Sequence, residues 1–250
     1  MSRRLARGKV VARGAGLDDS GARAFGVERL PITCFSDVLC VWAFFAELRL
    51  AAVRRAFGGK VALEHRFCAV FGDVPGKIAV SWASRGGYEG FGDHLQHSAR
   101  AFPEVTLHPD VWRRARPASS LSPHLFLKAV ALAEKEGVFA AGAFERGLAA
   151  MREAFFVRGL DVARRDVQHD VARGFGLDPA LVQAFLDDGR AHAALSADYK
   201  DAETLGVRGS PTLILNEGRQ KLFGNVGYRI IEANILELLR GPHPDQASWC

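Results

Sequence analysis

No long hydrophobic run interrupts this sequence. Its longest apolar stretch, Val38 to Ala46, is nine residues, far short of the ~20 that a membrane-crossing helix needs. The first 30 residues also lack the roughly 7–15-residue apolar core of an export signal; their longest apolar run is Val10-Val11-Ala12. These absences predict a cytoplasmic protein without a membrane partner. Cysteine is scarce: Cys34, Cys40, Cys68 and Cys250. In a cytoplasmic chain these do not build a disulfide framework. Their spacings of 6, 28 and 182 match no zinc-ligand pattern, so no metal is expected. An excess of one charge is missing too. Residues 1–30 hold seven basic residues against three acidic, while the remaining 220 hold 26 against 25. The body of the chain is close to neutral, which argues against a nucleic-acid partner. With 48% hydrophobic and 24% charged residues, wholesale disorder is excluded.

What is present reads as a mixed α/β chain. Residues 1–29 have no sustained apolar period and are expected to form a basic N-terminal tail. Leu30 to Asp37 is β-like, with Ile32, Thr33 and Phe35 favouring a strand. From Cys40 to Phe57 the pattern turns helical, with Val41, Phe44, Phe45, Leu48, Ala52 and Ala56 on one predicted stripe, and Gly58-Gly59 ends it. Lys60 to Phe67 alternates as a second strand, completing a βαβ unit. Between Gly76 and Ser196 no convincing strand is found. Helices are predicted over Ser119–Glu136, Ala140–Phe156, Val162–Phe175 and Pro179–Leu186, the last with Asp178 as N-cap. Thr212 to Leu215 and Gln220 to Phe223 flank the turn Asn216-Glu217-Gly218, and Tyr228 to Leu239 is a closing helix. The organisation expected is therefore one α/β domain from 30–75 and 197–240, an all-helical insert over 76–196, and a C-terminal tail over 241–250.

Two places carry chemistry. Cys40 follows the first strand and opens the first helix, where unpaired N–H groups and the helix dipole favour a thiolate, the nucleophilic form of cysteine. Asp37, three residues earlier, opposes this through like charge. A buried structural thiol is the competing reading. The second place is Val207-Arg208-Gly209-Ser210-Pro211-Thr212, directly before a strand. A proline there is used either for a cis peptide that presents the preceding backbone to a ligand, or in an ordinary trans turn.

Together, Ser36-Asp37-Val38-Leu39-Cys40-Val41-Trp42-Ala43, the helical insert, Gly206 to Thr212 and Gly224-Asn225-Val226 resemble the DsbA-like branch of the thioredoxin superfamily over residues 30–240. The resemblance implies a thioredoxin fold with an inserted helical subdomain, Cys40 as nucleophile, and Pro211 as a cis-proline. Ser210 would then offer backbone contacts to a bound thiol or peptide. Apart from the resemblance, Trp42, Phe44 and Phe45 are placed to line a groove beside Cys40, with most of that stripe expected in the core. The substrate implied is a disulfide- or thiol-containing protein or small molecule. One position departs from the family's Cys-x-x-Cys pattern. After Val41 and Trp42 the resolving position is Ala43, so the motif cannot release its own mixed disulfide. Glutathione as co-substrate, a substrate thiol or the terminal Cys250 must do so, the last within one chain or across a homodimer. No tightly bound cofactor is expected. Two rival readings remain: a glutathione-dependent transferase or isomerase of the kappa and chromene-carboxylate type, and a redox-inactive peptide-binding module. Cys34 and Cys68 are assigned to the core. His94 and His97 are read as solvated, and Arg113, Arg114 and Arg116 as a solvated basic face with an anionic ligand as the weaker option. Ser119, Ser120 and Ser122 lack a nucleophile-elbow pattern, so a hydrolase is discarded.

Overall fold

The computed structural model describes residues 29–240; Cys250 and the two tails lie outside them. Four strands form one sheet in the order β2-β1-β3-β4. β1 (Leu30–Ser36) and β2 (Val61–Phe67) run parallel, joined by α1 (Val41–Phe57). β3 (Thr212–Leu215) pairs antiparallel with both β1 and β4 (Gln220–Phe223). The β3–β4 turn uses positive φ at Asn216, Glu217 and Gly218, as a tight hairpin requires. α8 (Tyr228–Arg240) follows.

Side-chain alternation in the strands divides the core into two faces. Ile32 and Cys34 of β1 and Leu213 and Leu215 of β3 meet Leu50 and Val53 of α1 and Ile231 and Ile235 of α8. Phe35 and Ile214 point the other way, toward Cys68 and Ala202. On α1 the predicted stripe holds only in the first turns, where Val41 and Phe45 are buried, and drifts off the core face further along. Ala43, Ala46, Leu50, Val53 and Phe57 are buried, whereas Leu48 is exposed. The first half of this helix is apolar nearly all round, so the three-to-four spacing fits two faces, and packing between the sheet and α8 selects one.

The insert contains α2 (Gly87–Ala99), α3 (Leu121–Lys135), α4 (Ala143–Phe156), α5 (Arg165–Gly174) and α6 (Pro179–Asp187). The Asp178 carboxylate accepts the Ala180 N–H, the expected N-cap bond. Its core centres on Phe126, Leu127, Val130, Met151 and Phe155, all fully buried; each such side chain contributes about 1.5–3 kcal/mol. The expected helix over Val162–Phe175 is shorter, because the Asp161 carboxylate holds the Ala163 N–H in a turn. The sequence reading did not foresee α7 (Arg190–Thr204). This helix runs unbroken through the 196/197 boundary set between insert and sheet. Its Asp198 accepts the Phe67 N–H (2.9 Å) at the end of β2 and pairs with Lys128 of α3 (2.5 Å). Helices of the insert are thereby tied to the end of the sheet that holds Cys40.

Candidate active site

β1 stops at Ser36 rather than Asp37, because the next residues turn out of the sheet. The Asp37 N–H donates to Ser210 Oγ (2.9 Å) rather than to a neighbouring strand, and the Cys40 N–H donates back to the Asp37 carbonyl (3.1 Å). Cys40 is the N-cap of α1, with extended backbone and no side-chain cap. Its Sγ donates to the Ser210 carbonyl at 3.2 Å. The Ser210–Pro211 peptide bond is cis. Thr212 Oγ1 donates to the Gly209 carbonyl (2.8 Å), and the Pro211 carbonyl accepts the Gly224 N–H (2.8 Å). The residues that the sequence singled out 170 positions apart thus meet: nucleophile candidate and proline loop share a hydrogen bond.

Beneath this contact lies a polar cluster that sequence reasoning missed. Asp37 is fully buried. Its Oδ1 accepts the Leu39 N–H (2.9 Å), and its Oδ2 accepts the Phe71 N–H and the Ser120 hydroxyl (both 2.8 Å). Ser120, set aside as a hydrolase residue, is therefore a buried donor to the active-site loop. His124 of α3, also fully buried, accepts the Val38 N–H at Nε2 (3.0 Å) and faces Tyr199 Oη through Nδ1 (2.9 Å). The Val38 bond needs the Nε2 lone pair, which puts the ring proton on Nδ1. Burial raises the Asp37 carboxyl; His124 and the N–H groups of Phe71 and Leu39 more than reverse it, and the group sits below the usual carboxylate range. The available sequence signal was a histidine on the apolar face of a strongly periodic helix.

Electrostatics at Cys40 differ from the helix-terminus expectation. Burial pushes the thiol up, and the nearby Asp37 charge adds to this. Ser210 and the N–H groups of Ala43 and Trp42 pull down without reversing it. Cys40 is only 4% exposed, and at that depth desolvation outweighs the dipole. Alkylation of Cys40 by iodoacetamide is expected to have its pH midpoint above the ~8.5 of a free cysteine. A midpoint of 7 or lower, in a rate profile read by mass spectrometry, would contradict this. The sign has a stability counterpart: the contribution from the raised thiol is present below ~8.5 and is lost as pH rises through the folded-state value.

The other candidates fall as follows. Trp42 is half-buried, edge-on to Phe45 (5.7 Å between centroids) and Phe102 (6.3 Å). Ala43 is buried. Cys34 lies under the sheet, its thiol pushed up to about 12 by burial and then by Glu47. Arg113 pairs with Glu89 and Asp93, Arg116 with Glu89, and Arg114 with Asp110, so the basic cluster is matched by carboxylates. The His94 ring lies 5.2 Å from that of Trp82. Phe223 went unnoticed in the sequence. It is 63% exposed beside the proline loop, and its ring occupies the space where a Cβ on Gly209 would stand, 2.8 Å away. Surface clefts of about 420 and 510 Å³ flank β2, but neither is lined by Cys40, Ser210 or Pro211.

Comparison with known proteins agrees with this geometry. The model of the DSBA-like thioredoxin domain matches residues 31–235. Among solved structures, a probable DsbA oxidoreductase from Streptomyces coelicolor is 20% identical, with 86% of this chain and 92% of that one covered at a TM-score of 0.65. The cytosolic disulfide reductase DsbM from Pseudomonas aeruginosa, solved with GSH, is 21% identical, covering 84% and 100% at 0.60. A 2-hydroxychromene-2-carboxylate isomerase is 17% identical, covering 84% and 97% at 0.56. No curated protein matches. The chain belongs to the DSBA-like thioredoxin domain family, with its thioredoxin fold and helical insert.

Proposed function

We propose that this protein is a monothiol disulfide reductase working through Cys40. The observation that carries the reading is the 3.2 Å contact between Cys40 Sγ and the Ser210 carbonyl, with Ala43 where a resolving cysteine would stand. The Cys40 thiolate attacks a substrate disulfide lying against Ser210-Pro211, forming a mixed disulfide and releasing one substrate thiolate. A glutathione thiolate then displaces the second substrate thiolate, and another glutathione frees Cys40. The net change is two thiols formed on the substrate and one glutathione disulfide. Cys250 is the terminal alternative to the first glutathione.

The raised thiol favours reduction over oxidation. An oxidant of this fold type works by stabilising its thiolate. Here the ionised sulfur is disfavoured by burial, whereas a disulfide carries no charge into the site. Among the described residues no helix is long and apolar enough to cross a membrane. A glutathione-containing compartment, the cytoplasm, fits the absence of a second motif cysteine.

Cys40→Ser is expected to bring reduction of a peptide–glutathione mixed disulfide down to background, measured by thiol release. Full turnover in that variant would remove Cys40 from the mechanism, and a glutathione-transferase assay with activity retained in it would favour the transferase or isomerase reading.

A further inference from the structure

Cys68 lies one residue past the last rung of the β1–β2 ladder, where Ser36 pairs with Phe67. Its N–H donates to the Ser36 carbonyl (3.2 Å), so it abuts the strand end that leads through Asp37 into Cys40. Its Sγ approaches the Gly209 carbonyl at 3.9 Å, and the Cys40 Sγ donates to the next carbonyl, that of Ser210. Two thiols from different elements thus rest on successive carbonyls of one loop, whose Cα atoms are about 3.8 Å apart when joined by a trans peptide. We propose that Cys68 is the resolving thiol that the active-site motif lacks. This rests on the Cys40 reading above and assigns its second step to this chain.

The surroundings suit that role. The Gly209 carbonyl also accepts the Thr212 hydroxyl at 2.8 Å, so departure of the weakly held Cys68 thiol leaves no buried acceptor unpaired. Burial pushes the Cys68 thiol up, and the charges of Asp37, Cys40 and Cys34 add to this. The Cys68 thiolate then attacks the Cys40 sulfur. The Cys40–Cys68 bond forms, the Cys40–substrate bond breaks, and the substrate thiolate leaves. Two glutathione thiols reduce the new disulfide and leave as glutathione disulfide. The spacing of 28 residues between the cysteines hid this partnership, because both were judged by their local elements.

The full chain is treated with glutathione disulfide, quenched by acid, and its disulfides mapped by mass spectrometry without reduction. Wild type is expected to give a Cys40–Cys68 link. Cys68→Ser is expected to accumulate a Cys40–glutathione adduct and to release its second thiol at least about tenfold more slowly, because an intramolecular attack has been lost. A Cys40–Cys250 link in wild type, or an adduct that forms on Cys40 and decays equally fast with and without Cys68, overturns the inference and leaves the reductase reading intact. Absence of any disulfide at Cys40, to glutathione or to another cysteine, in both proteins overturns both. The wild-type map needs no substitution, so a folding defect in Cys68→Ser does not decide the outcome.

Discussion

Asp37→Ala is expected to lower the folding stability by about 3–5 kcal/mol, in the range seen when one partner of a buried charged hydrogen-bonded set is removed. The carboxylate accepts from Leu39 N–H, Phe71 N–H and Ser120 Oγ, and alanine leaves all three donors buried without partners. Asp37→Asn is milder, about 2 kcal/mol. Its carbonyl serves one side and the Ser120 hydroxyl can turn to accept, but the Phe71 N–H then faces an amide that donates. Urea unfolding measures both. The pH dependence follows from the lowered carboxyl. A group depressed on folding contributes stability above its unfolded value, ~3.9, and loses it as pH falls through the folded value. The gap between wild type and Asp37→Asn should therefore be largest at neutral pH and narrow from about pH 5 downward. A gap independent of pH would mean that Asp37 is not ionised in the folded protein. The same variants should speed Cys40 alkylation near pH 8, because removing the Asp37 charge removes one cause of the raised thiol.

The frame of this fold was legible because its elements announce themselves locally. β2 alternates with period two, β1 and β3 are short runs rich in strand-favouring residues, α3 and α4 repeat every three to four residues, and Gly58 and the Asn216-Glu217-Gly218 turn mark ends. Cys40 and Pro211 were legible for a different reason: each breaks the local pattern, one as a thiol at a helix start and the other as a proline before a strand. What escaped was set by packing at long range. Ser120 and His124 sit 83 and 87 residues from Asp37, and nothing in their own helix says that they end beneath it. Burial of Cys40 was legible only as the competing reading, not as the stronger one. The helix-terminus argument uses only local dipoles, whereas the desolvation that overrides it comes from the insert and the proline loop around it. α7 escaped because it is alanine-rich and polar; Ala191, Leu195 and Ala202 make a thin stripe, and one of its buried positions is Asp198.

Arg152→Met is expected to cost about 3–5 kcal/mol, with most of that recovered in the double variant Arg152→Met, Glu47→Leu. Arg152 belongs to α4 of the insert, yet it is 1% exposed and reaches across to the sheet domain. There it pairs with Glu47 of α1 and donates to Ser36 Oγ (2.9 Å) at the end of β1. Its Nε has no partner, so the pair carries a desolvation cost that its bonds do not fully offset. A buried pair of this kind adds little relative to well-packed apolar residues, but removing one member strands the other's charge. In the single variant the Glu47 carboxylate, only 28% exposed, loses its cation. In the double variant no charge is stranded, and only the Ser36 hydroxyl is left short, at about 1–3 kcal/mol. Recovery measured by urea unfolding separates this account from one in which Arg152 acts through its size alone, since the methionine would then already suffice. Ser36 immediately precedes Asp37 and its carbonyl holds the Cys68 N–H. The single variant should therefore also loosen the loop that carries Cys40, seen as faster amide hydrogen exchange at Asp37 to Cys40 than in the double variant.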